Sequence, residues 1–189
     1  EIKKAAIDLF YHNGYYKTTL RQIAQNSGID HSTIFYYYEN KNDIAKHLII
    51  RYFIEARNLA VKLYEEVIQK PADYRFIDML FHAIHYKLMV EDKDFAEFYI
   101  DFYMNAKTLF NSITNEINRK YTPDVYEHFM KNIRTKLNYS LISQIDIMLV
   151  EFCSQKEISS YEAAKFFSEK VFQMPETKWN IELNEIHEF

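Results

Sequence analysis

With 189 residues, 48% of them hydrophobic and 26% charged, the chain is long enough to bury a sizeable core and too apolar to stay disordered. One cysteine, Cys153, excludes an internal disulfide, and no apolar run approaches the roughly 18–20 residues that cross a bilayer. With no secretory signal pattern at its start, a reducing cytoplasmic setting is expected. The net charge of −4 argues against nonspecific polyanion binding, although residues 1–50 carry six Lys/Arg against five Asp/Glu, a local +1 on an acidic chain.

The chain opens at Glu1 already inside a helical pattern, which leaves room for a short preceding arm. A first helix is predicted over about Ile2–Asn13, because Ile2, Ala5, Ala6, Leu9 and Phe10 recur at the spacing of one buried stripe. Asn13-Gly14 ends it. Thr19 opens a second helix as N-cap, with Gln22 completing a capping box; Leu20, Ile23 and Ala24 face inward, and Gly28 stops the helix. Asp30 caps a short third helix over about His31–Tyr37. Asn40 or Asn42 caps a fourth that reaches about Gln69, along which Ala45, Ile49, Tyr52, Ala56, Leu59 and Leu63 form a packing seam.

Further helices are expected at about Tyr74–Val90, Phe95–Ala106, Leu109–Lys120, Asp124–Ser154 and Ser160–Phe172, with a short tail helix after Pro175. The 124–154 pattern weakens near Asn138–Ser140, where a break is expected. No segment alternates as a strand does, so the fold class is all-α.

Two short helices joined by a glycine-containing turn and steadied by a preceding helix form a helix-turn-helix, a DNA-reading arrangement. Residues 19–38, TLRQIAQNSGIDHSTIFYYY, meet its physical needs. Ala24 and Gly28 let the two helices cross closely, and Ile29 and Ile34 lock the second onto the first. His31, Ser32 and Thr33 put short polar groups at the start of the recognition helix, where base edges and phosphate are in reach. Adjacent helical residues point about 100° apart, so Tyr36, Tyr37 and Tyr38 cannot all be buried. An exposed tyrosine hydroxyl is a good phosphate donor. Lys41, beside the start of the fourth helix, is a second candidate for phosphate.

The stretch AAIDLFYHNGYYKTTLRQIAQNSGIDHSTIFYYYENKNDI, residues 5–44, resembles the TetR family of bacterial regulators. The matching features are AA--LF, NGY, TT-R-IA, SGI, STIFYYY and NK--I, in order and spacing. Two positions depart: Phe35 stands where the family usually has tyrosine, and Tyr38 where phenylalanine is common. The resemblance implies phosphate contacts from Thr19 and Arg21, approach of His31, Ser32 and Thr33 to base edges, Tyr36 at the groove edge, and Tyr37 and Lys41 on the backbone. Arg21 reads equally as an ordinary solvated arginine, and His31 as a residue of the capping turn. By the same resemblance the head spans 1–47, and 48–189 is a helical effector-binding and dimerisation domain whose last two long helices pair with a partner's copies.

Double-stranded DNA and a second copy of the chain are thus the expected macromolecular partners. One recognition helix reads only a few base pairs, whereas two held about 34 Å apart read a palindrome. In the body, Phe95, Phe98, Tyr99, Phe102 and Tyr103 form one dense stripe, and Phe76, Leu80, Ile84 and Leu88 another. These are either plain core or the lining of a pocket for a small apolar or aromatic effector, for which Phe76, His82, Phe98, Tyr99, Phe102 and Tyr103 are the candidates. Asp78, His82 and His85 share a helix face, which raises a metal site, polar pocket lining or surface histidines; no cluster elsewhere completes a metal set, and no metal or cofactor is assigned. No phosphate-cradling glycine loop, HExxH or nucleophile elbow is present, so no enzyme is expected. The function expected is a ligand-responsive repressor, with a same-fold regulator controlled by a protein partner as the alternative.

Overall fold

In a computed structural model, residues 1–68, 74–131 and 133–171 are described. They are all-helical, in ten helices: α1 Ile2–Asn13, α2 Leu20–Asn26, α3 His31–Ile34, α4 Lys41–Ile68, α5 Tyr74–Glu91, α6 Lys93–Asn105, α7 Lys107–Tyr121, α8 Pro123–Met130, α9 Ile133–Ser154 and α10 Ser160–Val171. The tail helix expected after Pro175 lies outside the described residues.

The chain divides into two compact units that do not follow a single cut in sequence. The first comprises 1–52 and 92–127, the second the described residues of 53–91 and those from 128 onward. In the first, α1 packs on α2, α2 on α3, and α6 on α1 and α7. Aromatic rings explain why α6 joins the head. Phe10 of α1 stacks on Phe98 at 5.2 Å, and the edge of Tyr15 meets Phe102 at 4.9 Å. Phe95, Phe98, Tyr99, Phe102 and Tyr103 are all buried there, and Phe110 of α7 closes on Tyr99 and Tyr103.

In the second unit α5 is central, packing on both α9 and α10. Burial on α5 therefore runs well beyond one stripe, taking in Phe76, Ile77, Met79, Leu80, Phe81, Tyr86 and Met89, while Ile84 and Leu88 are only half-buried. On α4 the expected seam also shifts. Phe53, Ala56, Arg57, Ala60 and Tyr64 are buried, and Leu59 is 45% exposed. A straight helix drifts about 20° per heptad from a strict seven-residue repeat, which carries Leu59 off the buried face.

Three further expectations are corrected. The break in the 124–154 pattern falls between α8 and α9, at Lys131, and 138–140 are helical, because tertiary context overrides the weak propensity of Asn and Ser. Helix α3 ends at Ile34, three residues early, as Tyr36 N–H and Tyr37 N–H turn back to the carbonyls of Thr33 and Ile34 in i→i+3 bonds. Asp30 occupies the N-cap position of α3 without a side-chain capping bond.

Candidate DNA-binding interface

The helix-turn-helix is built by its caps. Thr19 Oγ1 accepts from Gln22 N–H at 3.2 Å and Gln22 Oε1 accepts from Thr19 N–H at 2.8 Å, so the capping box is complete. At the other end of α2 the chain closes in a Schellman motif: Ile29 N–H reaches Ala24 O at 3.1 Å and Gly28 N–H reaches Gln25 O at 3.1 Å. Gly28 sits at φ +70°, a conformation that costs other L-residues about 1–2 kcal/mol. That turn drops Ile34 fully into the core with Ile23 and Ala24, and so fixes which face of α3 points outward.

The outward face carries most of the predicted contacts. His31 and Ser32 are exposed and Thr33 is half-buried. Tyr36 is 86% and Tyr37 66% exposed, while Tyr38 is half-buried with its ring edge against His47 at 5.7 Å. Phe35 is exposed too and takes the edge of the His31 ring at 5.1 Å, which orients the histidine at the helix start. Arg21 and Thr19 are exposed at the start of α2. Because the Thr19 side chain already serves the cap, Thr19→Ala is expected to cost about 1 kcal/mol of stability, read as a lower midpoint in urea unfolding. An unchanged midpoint would deny the cap its role.

Lys41 differs from the free cation that its position in sequence implied. Its Nζ donates to Tyr15 O at 2.8 Å and Tyr16 O at 3.2 Å and lies 4.3 Å from the centre of the Tyr15 ring. Burial lowers its pKa, and the Asp101 carboxylate works against that shift. Two of its three ammonium protons are thus committed to backbone carbonyls. Asn40 is the cap of α4, accepting Asp43 N–H at 3.1 Å, whereas Asn42 accepts the Tyr15 hydroxyl. Tyr15 is buried and its pKa is pushed up to about 12, by burial first and then by Asp101, so the hydroxyl keeps its proton.

The six pocket candidates do not share a unit. Phe98, Tyr99, Phe102 and Tyr103 belong to the core of the first, and Phe76 and His82 to the second. There Phe76 stacks on Tyr64, and His82 stacks on Phe167 at 3.9 Å while its Nδ1–H donates to Asp78 O at 2.7 Å. Asp78 pairs with Arg57 at 2.5 Å, and His85 Nε2 lies 3.5 Å from Asp146, which also accepts from the Tyr86 hydroxyl at 3.0 Å. Among the described residues no group of three or more His, Cys, Asp or Glu could hold a metal ion. Cys153 is buried, with its thiol pKa pushed up to about 11 by burial and Asp146.

Several of these groups were not legible in the sequence. Arg57 carries no local signal of burial, and Asp101 is 85 positions from Tyr16, whose N–H it accepts at 2.9 Å.

Comparison with known proteins places this geometry. Residues 2–48 match the family described as "Bacterial regulatory proteins, tetR family". Over 96 residues the chain is 29% identical to the fatty acid metabolism regulator protein of Bacillus subtilis (strain 168), a match that takes in 51% of this chain and 47% of that protein. The match thus spans about half the length of that curated relative. Among solved structures, the fatty acid degradation regulator FadR from Bacillus halodurans shares the fold at 18% identity and a TM-score of 0.58, over 90% of this chain and 92% of that one. FadR from Bacillus subtilis in complex with stearoyl-CoA shares it at 18% identity and 0.52, over 90% and 95%. With a capped helix-turn-helix over the stretch that the family matches, residues 2–48 form a head of the type found in the TetR family of bacterial regulatory proteins, and the described chain shares its helical fold with these solved structures.

Proposed function

We propose that the protein is a cytoplasmic transcriptional repressor that binds a palindromic operator as a homodimer and releases it when a long-chain fatty acyl ligand binds the body. The observation that carries the DNA-binding part is the outward face of α3. Ile34 is pinned inside, and His31, Ser32, Tyr36 and Tyr37 are left exposed around the helix start. A face with no cationic cluster suits aimed contacts to bases and phosphates, not bulk charge.

Dimerisation is supported by α9. Its buried side holds Ile147, Leu149, Val150 and Cys153, yet Leu141, Met148 and Phe152 are exposed on the same helix. Phe166 adds an exposed ring on α10. A helix apolar all round wants cover on both faces.

The acyl ligand is supported by the names of the relatives. Inside the first unit, the Tyr103 hydroxyl is buried with no hydrogen-bond partner among the described residues, a group that an effector could satisfy. The head proposed for DNA is 1–47, the effector and dimer part 48–189, and no catalysis is assigned. Among the described residues no helix is long and apolar enough to cross a membrane.

The test starts from a duplex enriched by the wild-type chain from a randomised library. Two protomers per duplex are expected, and Thr33→Ala and Tyr37→Ala should each weaken binding about tenfold or more. Stearoyl-CoA should weaken it about 5–150-fold, the range of ordinary allosteric coupling. Full affinity in both variants would sink the contact assignment, and full affinity with stearoyl-CoA bound would sink the proposed effector.

A further inference from the structure

The turn between α1 and α2 is held from two sides within the first unit. From α6, Asp101 Oδ2 accepts Tyr16 N–H at 2.9 Å. The carboxylate is steadied in turn by Asn105, whose Nδ2 donates to Asp101 Oδ1 at 2.7 Å and to Asp101 O at 2.9 Å. From α4, Lys41 Nζ donates to the carbonyls of Tyr15 and Tyr16.

The backbone of Tyr16 thus bridges two helices: its N–H goes to Asp101 and its C=O to Lys41. Gly14 makes the approach possible. A Cβ at that position would lie 3.0 Å from Asp101 Oδ2, tighter than nine in ten real Cβ contacts, so the carboxylate would have to shift by a few tenths of an ångström, and the residue sits at φ +78°. The ring of Tyr15 completes the block, edge-on to Phe102 of α6, with its hydroxyl on Asn42 of α4.

A lysine with two donors fixed on carbonyls points its third in one direction, and those carbonyls are only as well placed as the turn that carries them. We propose that Asp101 is a positioning residue for DNA binding, which fixes the Gly14–Tyr16 turn and through it the direction in which Lys41 presents its remaining proton to a phosphate. The inference rests on the DNA-binding reading above. It places part of the DNA-binding apparatus on α6, far outside the helix-turn-helix in sequence.

The experiment measures affinity for the enriched duplex across a range of salt concentrations. Asp101→Ala is expected to bind about tenfold more weakly, with the slope of log affinity against log salt reduced by about one, the signature of one lost phosphate contact. Asp101→Asn, whose amide oxygen still accepts Tyr16 N–H, should restore most of both. In a Lys41→Ala background Asp101→Ala should add almost nothing, because the two act along one path.

Wild-type affinity and slope in Asp101→Ala, or full additivity with Lys41→Ala, would overturn the proposal. Should Asp101→Ala not fold, the exposed Asn105→Ala decides. A roughly threefold loss is expected there from a loosened carboxylate, and no loss overturns the proposal. Thr33→Ala separates the two levels. If it and Tyr37→Ala both leave affinity unchanged, the contact assignment on which the inference rests fails, whereas if they weaken binding and Asp101→Ala does not, only the role of Asp101 falls.

Discussion

Acid is expected to unfold the second unit well above the range where carboxylates titrate. His85 is 1% exposed, and burial pushes its pKa down to about 3 from an ordinary 6.5. The unfolded chain takes up a proton at this residue near pH 6.5, and the folded chain only near 3. Between those values unfolding binds a proton, so stability is full above about 6.5 and falls as the pH drops, by about 1.4 kcal/mol per pH unit.

The half-buried His82, pushed down to about 4 chiefly by burial, adds to the same slope between 6.5 and 4. Facing these rings are Asp146 of α9, which favours the charged form of His82, and Arg57 of α4, which opposes it. The stacked Phe81 ring on α5 and Phe167 on α10 give a proton nothing to bind. Urea midpoints followed by circular dichroism at pH 7, 6 and 5 should fall steadily. His85→Phe, which keeps a flat ring beside Phe81, should flatten the slope by about 1.4 kcal/mol per unit. A pH-independent midpoint in the wild type would refute the account.

The second large effect is expected at Arg57. Its guanidinium pairs with Asp78 at 2.5 Å, and both side chains are about nine-tenths buried. Taking two charges out of water is costly, and only their mutual attraction offsets it. Asp78 shows the balance: burial raises its carboxyl pKa, and Arg57 pulls it back.

Arg57→Ala removes the offset and leaves the carboxylate buried, so a loss of about 3–5 kcal/mol is expected in urea unfolding at pH 7. The loss should shrink in acid, as protonation neutralises Asp78. Arg57→Met combined with Asp78→Leu should recover most of the stability, since a well-packed apolar pair often matches a buried ion pair. A single Arg57→Ala variant within 1 kcal/mol of the wild type would show that the pair carries little.

His85 and Arg57 look unlike each other in sequence and behave alike in the fold. On α5 the helical period puts Asp78, His82 and His85 on one face and suggests a metal, because periodicity reports shared direction and not what lies opposite. Opposite them lie Arg57, Phe167 and Asp146, and Phe81 of the same helix stacks on His85. These neighbours make the face a buried polar seam in which the histidines are held neutral. On α6 the aromatic stripe Phe98, Tyr99, Phe102 and Tyr103 was legible as buried. Its neighbours were not, since Phe10 and Tyr15 lie more than eighty positions away.

What the sequence by itself determined is local. Helix starts and stops, the Thr19–Gln22 capping box and the turn at Gly28 follow from propensity, capping and positive φ, all of which act within a few residues. The exposure of at least one of Tyr36–Tyr38 follows as directly, from the 100° step between helical neighbours. What only the tertiary structure decided is which helices share a core, and therefore which polar groups meet. That joined α6 to the head, turned Lys41 from a free cation into one braced on the Gly14–Tyr16 turn, and hid Arg57 against Asp78. Such pairings depend on contacts across long stretches of chain. Their energies come from burial and Coulomb attraction at short range in space, with no counterpart at short range in sequence.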